Sequence, residues 1–149
     1  MRTFLTAVLA TIVLTSCAAQ QPLLKQTASG YPEGVFQSTN VDTVRSKIMN
    51  ACSSMGVMVQ EATGNQVTCS KRLEGSQAIL AQFAIGNSYS TPPEQKVKFI
   101  IYQIGPDVKV TAQQWVETQM PYGQMRRMEL NSNDQNNGIQ QMLFNVGAR

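Results

Sequence analysis

The chain has 149 residues and a nearly balanced charge, with 12 Lys and Arg against 9 Asp and Glu. This length suits a single domain, and the small net charge of +3, without an RNA- or DNA-binding motif, argues against a nucleic-acid partner. The chain has no histidine, which excludes Ser-His-Asp and Cys-His catalysis and any His-ligated metal site.

The N-terminal segment combines a positive charge, a short apolar run and a cysteine. Arg2 precedes an apolar run over residues 4–14, which is shorter than the roughly 20 apolar residues that span a bilayer. This pattern is typical of a secretory signal peptide. The four residues LTSC, which end at Cys17, resemble the lipobox of bacterial lipoproteins.

The resemblance implies that residues 1–16 are removed as a signal peptide and that the sulfur of Cys17 carries a diacylglycerol. Because several acyl chains hold a protein firmly on a bilayer, the mature chain would be anchored to a membrane. The residue after the cysteine is Ala18 and not Asp, which resembles lipoproteins of the outer membrane that face the periplasm. The alternatives are an ordinary signal peptide with a chance cysteine, or a buried N-terminal helix.

Lipidation of Cys17 would leave an even pair of cysteines, Cys52 and Cys69. In an oxidising compartment, such a pair is expected to form a disulfide. The alternative is two buried free thiols that behave as small apolar residues.

Residues 17–37 contain prolines, glycines and polar residues without a sustained period. They are predicted to be a lipidated flexible tether that spans roughly 25 Å, although Leu23 and Leu24 could dock on the domain. The remaining residues, 38–149, are predicted to form a single domain.

The domain begins with a predicted amphipathic helix. Asn40 can cap its start, and Val44, Ile48 and Cys52 recur at spacings of four residues on one apolar stripe. Gly56 is a suitable C-terminal stop. This pattern places Cys52 on the buried face of the helix.

Two short β-like runs follow, separated by a Gly-Asn pair at 64–65 that indicates a type II′ hairpin. Residues 76–86 are then predicted to be a helix with Ile79, Leu80 and Phe83 as its apolar side. A strand is the alternative for this segment, since short apolar runs do not distinguish the two.

Two longer β-like runs flank the sequence GPDV and predict a second hairpin. If these four residues form the turn, Lys98 lies opposite Trp115, Lys96 lies opposite Glu117, and Tyr102 shares their face. The other face of the hairpin is mostly apolar. The Lys98, Tyr102 and Trp115 face could bind a protein, a glycan or an anionic headgroup, or it could be an ordinary solvated sheet face.

A third strand over QMRRMEL and a final helix after NSNDQNN complete the predicted order α-β-β-α-β-β-β-α. This order predicts an α+β fold, with helices packed on one face of a mostly antiparallel sheet. NSNDQNNG resembles a calcium loop, but Met142 occupies the position of the required bidentate Glu. The sequence therefore predicts no metal ion and no cofactor.

The function predicted from these features is a non-catalytic binding or accessory domain, anchored in the bacterial envelope and bound to an envelope protein. One alternative is a structural or exclusion lipoprotein of a secretion, conjugation or phage-related system. Another is a glycan- or lipid-binding module that uses the Trp115 face. Catalysis by carboxylates is the surviving enzymatic option, but the glutamates are scattered without a local pairing pattern.

Overall fold

The computed structural model describes residues 20–149, so that Cys17 and the predicted signal peptide lie outside the described residues. The α+β fold is confirmed, since residues 20–149 form three α-helices and a six-stranded antiparallel sheet. The elements in chain order are β1 (Glu33–Phe36), α1 (Val41–Ser54), β2 (Met58–Thr63), β3 (Gln66–Arg72), α2 (Gly75–Ile85), β4 (Glu94–Ile104), β5 (Asp107–Gln119), β6 (Met125–Glu129) and α3 (Asn133–Asn145). Across residues 20–149, every helix is too short or too polar to cross a bilayer.

The element order agrees with the prediction except for β1, which lies within the predicted tether. The prediction of a loose linker is therefore wrong for residues 33–36. This strand pairs with β5, and Phe36 is only 2% exposed in the core. The prolines and glycines around it favour a loop, and a strand of four residues is too short to show a hydrophobic period in the sequence.

The strands follow the order β1-β5-β4-β3-β2, and β6 also pairs with β5. The long strand β5 therefore has one edge that two short strands share. β1 pairs with its first half, from Val108 to Thr111, and β6 pairs with its second half, from Trp115 to Gln119.

Close backbone packing explains the glycine in β1. A Cβ atom on Gly34 would lie 2.5 Å from the Cβ atom of Ala148, so that no larger residue fits without a shift. Beside it, the backbones of Val35 and Arg149 exchange two hydrogen bonds of 3.0 and 2.9 Å. The C-terminal end of the chain thus covers the outer edge of β1.

Helix α1 forms as the sequence predicts. The Asn40 side chain accepts a 2.9 Å hydrogen bond from the backbone N–H of Thr43, which satisfies a free donor of the first turn. Val44, Ile48 and Cys52 are buried on the face that contacts the sheet.

The first hairpin also forms as predicted, with Gly64 at a positive φ of 51° in the two-residue turn between β2 and β3.

The turn between β4 and β5 differs from the prediction. Ile104 pairs with Asp107, so the turn has two residues, Gly105 and Pro106, where a four-residue turn was predicted. Gly105 adopts the positive φ of 56° that the first position of a type II′ turn requires. The predicted register is consequently wrong by two residues, although an even shift leaves each side chain on its predicted face.

All three helices pack on one face of the sheet. Helices α1 and α3 cover the main core, which includes Val67, Phe99 and Ala112 from neighbouring strands. Val116 lies on the same face of β5 as Ala112 because side chains alternate along a strand. It packs with Ala81 and Ile85 of α2 in a second, smaller cluster.

The segment before β1 lies against α3. The side chain of Asn133 donates a 2.7 Å hydrogen bond to the carbonyl of Gln21, and that of Asn137 donates a 2.8 Å bond to the carbonyl of Pro22. The backbone N–H of Leu24 returns a 2.7 Å bond to Asn137 Oδ1. Residues from Gln21 onward are thus attached to the domain, where a free tether was predicted.

Candidate functional site

The sheet face opposite the helices is the first candidate site. Its central strands β4 and β5 carry basic, aromatic and polar side chains, and β6 and β1 add charged residues along the edge. None of the helices in residues 20–149 packs on this face, since the buried apolar side chains point the other way. We call it the open sheet face; its central residues are Lys96, Lys98, Tyr102, Lys109, Gln113, Trp115, Glu117 and Arg127.

Glu117 connects the charged groups at the end of the open sheet face where β6 pairs with β5. Its Oε1 atom lies 2.7 Å from Lys96 Nζ, and its Oε2 atom accepts a 2.6 Å hydrogen bond from Trp115 Nε1. Arg127 approaches Oε2 to 3.4 Å and lies over the indole, with its Cζ atom 4.2 Å from the ring centroid. Three neighbouring strands are therefore joined by one carboxylate.

The surroundings of Glu117 favour its ionised form. Burial raises the pKa of the carboxyl group, but hydrogen bonds from Lys96 and Trp115 and the charges of Lys96 and Arg127 outweigh this effect. The pKa of Glu117 is accordingly lowered from its usual 4.5. A carboxylate that is ionised and fully paired holds the strands together and is a poor general acid at neutral pH.

A second ion pair lies at the other end of this face, where β1 pairs with β5. Lys109 Nζ is 2.8 Å from Glu33 Oε2, and Ser29 donates a 2.7 Å hydrogen bond to the other oxygen. Burial raises the pKa of Glu33, but the bonds from Lys109 and Ser29 outweigh it and lower the pKa. The hydrogen bond to Glu33, reinforced by one to Tyr102, raises the pKa of Lys109. This pair fastens β1 to β5.

The structure brings the predicted residues Lys98, Tyr102 and Trp115 onto one face, but not as neighbours in the predicted pairs. Lys98 lies opposite Gln113, Tyr102 opposite Lys109, and Trp115 opposite Lys96. The pairing of Lys98 with Trp115 and the direct opposition of Lys96 and Glu117 are therefore wrong. Lys96 still reaches Glu117, but from a diagonal position.

Trp115 is less accessible than the sequence suggests. The residue is 8% exposed, because Arg127 from β6 covers the ring. Sequence reasoning assigned this cation to Lys98, because Lys98 lies on the adjacent strand in the predicted register. Tyr102 is 37% exposed and Lys98 is half-buried, so these two residues form the accessible part of the predicted site.

The structure also brings Cys52 and Cys69 together. Their Cα atoms are 6.4 Å apart, within the range of a disulfide, and their sulfur atoms lie at bonding distance, so that the predicted bond would join α1 to β3. Cys17, the predicted lipid-attachment residue, lies outside the described residues, so the structure does not describe its surroundings.

Helix α2 presents a second candidate surface that sequence reasoning missed. Ile79, Leu80 and Phe83 are 58%, 69% and 85% exposed, and Tyr89 in the following loop is 84% exposed. The sequence predicted these three residues as the apolar side of the helix, but Ala81 and Ile85 are the residues that contact the sheet. Both sides of α2 are apolar, so the hydrophobic pattern alone could not identify the buried one.

A cavity adjoins this surface. It has a volume of about 580 Å³ and lies between α2 and the loop that leads to β4, with Ile79, Phe83, Pro92 and Pro93 in its wall.

Within residues 20–149, His, Cys, Asp and Glu side chains form no group of three that could hold a metal ion.

Comparisons of the chain with protein-family models, with curated protein sequences and with solved structures find no match. The function is therefore inferred from the residues of this chain alone.

Proposed function

We propose that this chain is a bacterial envelope lipoprotein, anchored through acylated Cys17, whose α+β domain binds an envelope protein without catalysing a reaction. The anchor is supported by the lipobox-like LTSC sequence, which follows a charged residue and a short apolar run. The binding role is supported by the open sheet face.

The observation that carries the binding role is the position of Lys98 and Tyr102 beside the ion pairs of the open sheet face. Lys98 is in no ion pair within residues 20–149, whereas Lys96 and Lys109 on the same face each contact a carboxylate. Ile100 lies on this face two positions before Tyr102 on the same strand, and it is half-buried, as Lys98 is. An unpaired cation beside an apolar and an aromatic side chain suits a protein partner with an acidic group.

A glycan stacked on Trp115 is a weaker candidate. Carbohydrate stacking would require an open indole face, and Arg127 already covers the ring of Trp115. Tyr102, which lies opposite Lys109, is more accessible than Trp115 on the open sheet face.

The lipid anchor predicts a complete change of location when Cys17 is replaced. Cys17→Ser is expected to abolish labelling with radioactive palmitate and to move the protein out of the membrane fraction, because the serine oxygen is not a substrate for thioether formation. Ser16→Ala is the matched control, since it keeps a small residue beside the cysteine, and it should remain labelled. Labelling and membrane fractionation of the Cys17→Ser variant would contradict the anchor.

The binding role predicts a specific crosslink from the open sheet face in cells. Tyr102 is replaced by the photocrosslinking residue benzoylphenylalanine, and the fully exposed Tyr122 serves as the matched control position. We expect one defined protein adduct from position 102 that is absent from position 122. The adduct should fall about tenfold with Lys98→Glu, because reversing the charge opposes an acidic partner. The same adducts from both positions, or no effect of Lys98→Glu, would contradict this role.

A further inference from the structure

The exposed side of α2 is an apolar surface with three large side chains. Ile79, Leu80 and Phe83 lie within an arc of about 100° on the helix, on the side away from the sheet, and Tyr89 extends them into the next loop. Exposed apolar groups that form a continuous patch mark an interaction site. We call this patch the α2 apolar surface.

The segment that carries the α2 apolar surface contains no charged residue. Residues 75–93 include no Asp, Glu, Lys or Arg, and the flanking charges are Glu74 and Glu94. Specific protein-binding surfaces normally have a polar rim with charged residues. An uncharged apolar surface with Phe and Tyr is instead suited to the interfacial layer of a bilayer, where aromatic rings lie at the level of the headgroups.

Strand β6 adds an exposed apolar side chain next to α2, on the helix-bearing face of the sheet. α2 contacts β6, and Met128 lies on the helix-bearing face of that strand opposite Val116, where it is 37% exposed. Arg126, two residues earlier on the same face, is also exposed. A cation at the margin of an apolar surface is favourable beside anionic headgroups.

The N-terminal segment joins the domain on the helix-bearing side of the sheet. Gln21 is hydrogen-bonded to Asn133 at the start of α3. Leu130, three residues before Asn133, packs against the cluster that contains Ala81 and Ile85 of α2. The segment therefore reaches the domain on the side where α2 lies.

The length of chain before Gln21 then limits the distance to the membrane. Cys17 precedes Gln21 by four residues, which span at most about 14 Å when fully extended. A lipid attached at Cys17 would hold the start of α3 within that distance of the bilayer surface. The 25 Å stand-off predicted for a free tether does not apply, because the residues from Gln21 onward are bound to α3.

We infer that the α2 apolar surface rests in the interfacial layer of the bilayer that holds Cys17. The domain then lies on the membrane, and the open sheet face, on the opposite side of the sheet from α2, remains available to a partner. This inference rests on the proposed lipid anchor. It adds a second contact with the bilayer, made by side chains.

The test measures the depth of single labelled positions in the acylated full chain. Purified protein with Leu80→Cys or Phe83→Cys is labelled with an environment-sensitive fluorophore and placed in vesicles of phosphatidylethanolamine and phosphatidylglycerol. Some of the acyl chains are brominated so that they quench the label. Thr43→Cys, an exposed position in the first turn of α1, is the matched control.

We expect blue-shifted emission at positions 80 and 83, and quenching at least about threefold stronger than at position 43, because interfacial side chains enter the headgroup and acyl boundary. Equal quenching at all three positions, in protein whose mass proves acylation, would overturn the membrane contact and leave the anchor intact. A specific protein crosslink from position 83 in cells, with that equal quenching, would assign the surface to a protein instead. Purified protein without an acyl group at Cys17 would overturn the anchor itself, and the membrane contact with it.

Discussion

Replacing both cysteines, as Cys52→Ala with Cys69→Ala, is expected to lower the free energy of unfolding by about 3 kcal/mol in the chain-entropy treatment of a disulfide loop. The bond joins residues that are 17 positions apart and connects α1 to β3. Without it, the unfolded chain gains conformational freedom, while the folded chain keeps the same helix and sheet contacts. Since both side chains are buried, the loss of their sulfur atoms adds to the effect.

Urea denaturation of the purified mature protein measures this effect, with and without a thiol reductant. The reductant should destabilise the natural protein by a similar amount and leave the double variant unchanged. That comparison separates the loss of the bond from the loss of the side chains. Equal stability of the natural protein in both conditions would contradict a stabilising disulfide.

Glu117→Gln is expected to lower the free energy of unfolding at neutral pH by about 2 kcal/mol, because hydrogen bonds to a charged group are lost from a buried position. Glutamine keeps the shape of the side chain, so the packing around Trp115 changes little. It removes the negative charge that pairs with Lys96 and Arg127. Glu129→Gln on the neighbouring strand is the matched control, since Glu129 is exposed, and it should change stability by less than about 0.5 kcal/mol.

The pH dependence provides a second measurement of the same carboxylate. The folded-state pKa of Glu117 lies below its usual value of 4.5, so its stabilising effect is complete above that pH. The effect is lost as the pH falls through the folded-state pKa. The natural protein should therefore lose stability in acid more steeply than Glu117→Gln, in which the remaining slope comes from Glu33 and other carboxylates. Parallel pH profiles would contradict this role of Glu117.

Local patterns account for the elements that could be predicted. Asn40 caps α1, the apolar residues of α1 recur at helical spacing, and Gly64 forms the first hairpin turn, because each depends on residues within a few positions. The α+β class followed from the alternation of these elements. The pairing of Cys52 with Cys69 follows from the cysteine count, since lipidation of Cys17 would leave only these two thiols.

Long-range contacts account for the differences. β1 is a strand because β5 offers it an unpaired edge and Phe36 fills a space in the core, and neither fact is visible in four residues of sequence. Arg127 covers Trp115 because β6 pairs with β5 in a register that depends on the preceding turn. The predicted cation, Lys98, lies opposite Gln113 after a two-residue change in the other turn.

The sequence by itself determined the fold class, most element positions and the assignment of side chains to the two faces of the β4–β5 hairpin, because these depend on local propensity and on alternation along a strand. Only the tertiary structure decided which side of α2 is exposed, which cation lies over Trp115 and how the N-terminal segment attaches to α3. These outcomes depend on the relative positions of elements that are distant in the chain. An apolar helix such as α2 can bury either side, and the side it buries is decided by the partners that the sheet brings to it.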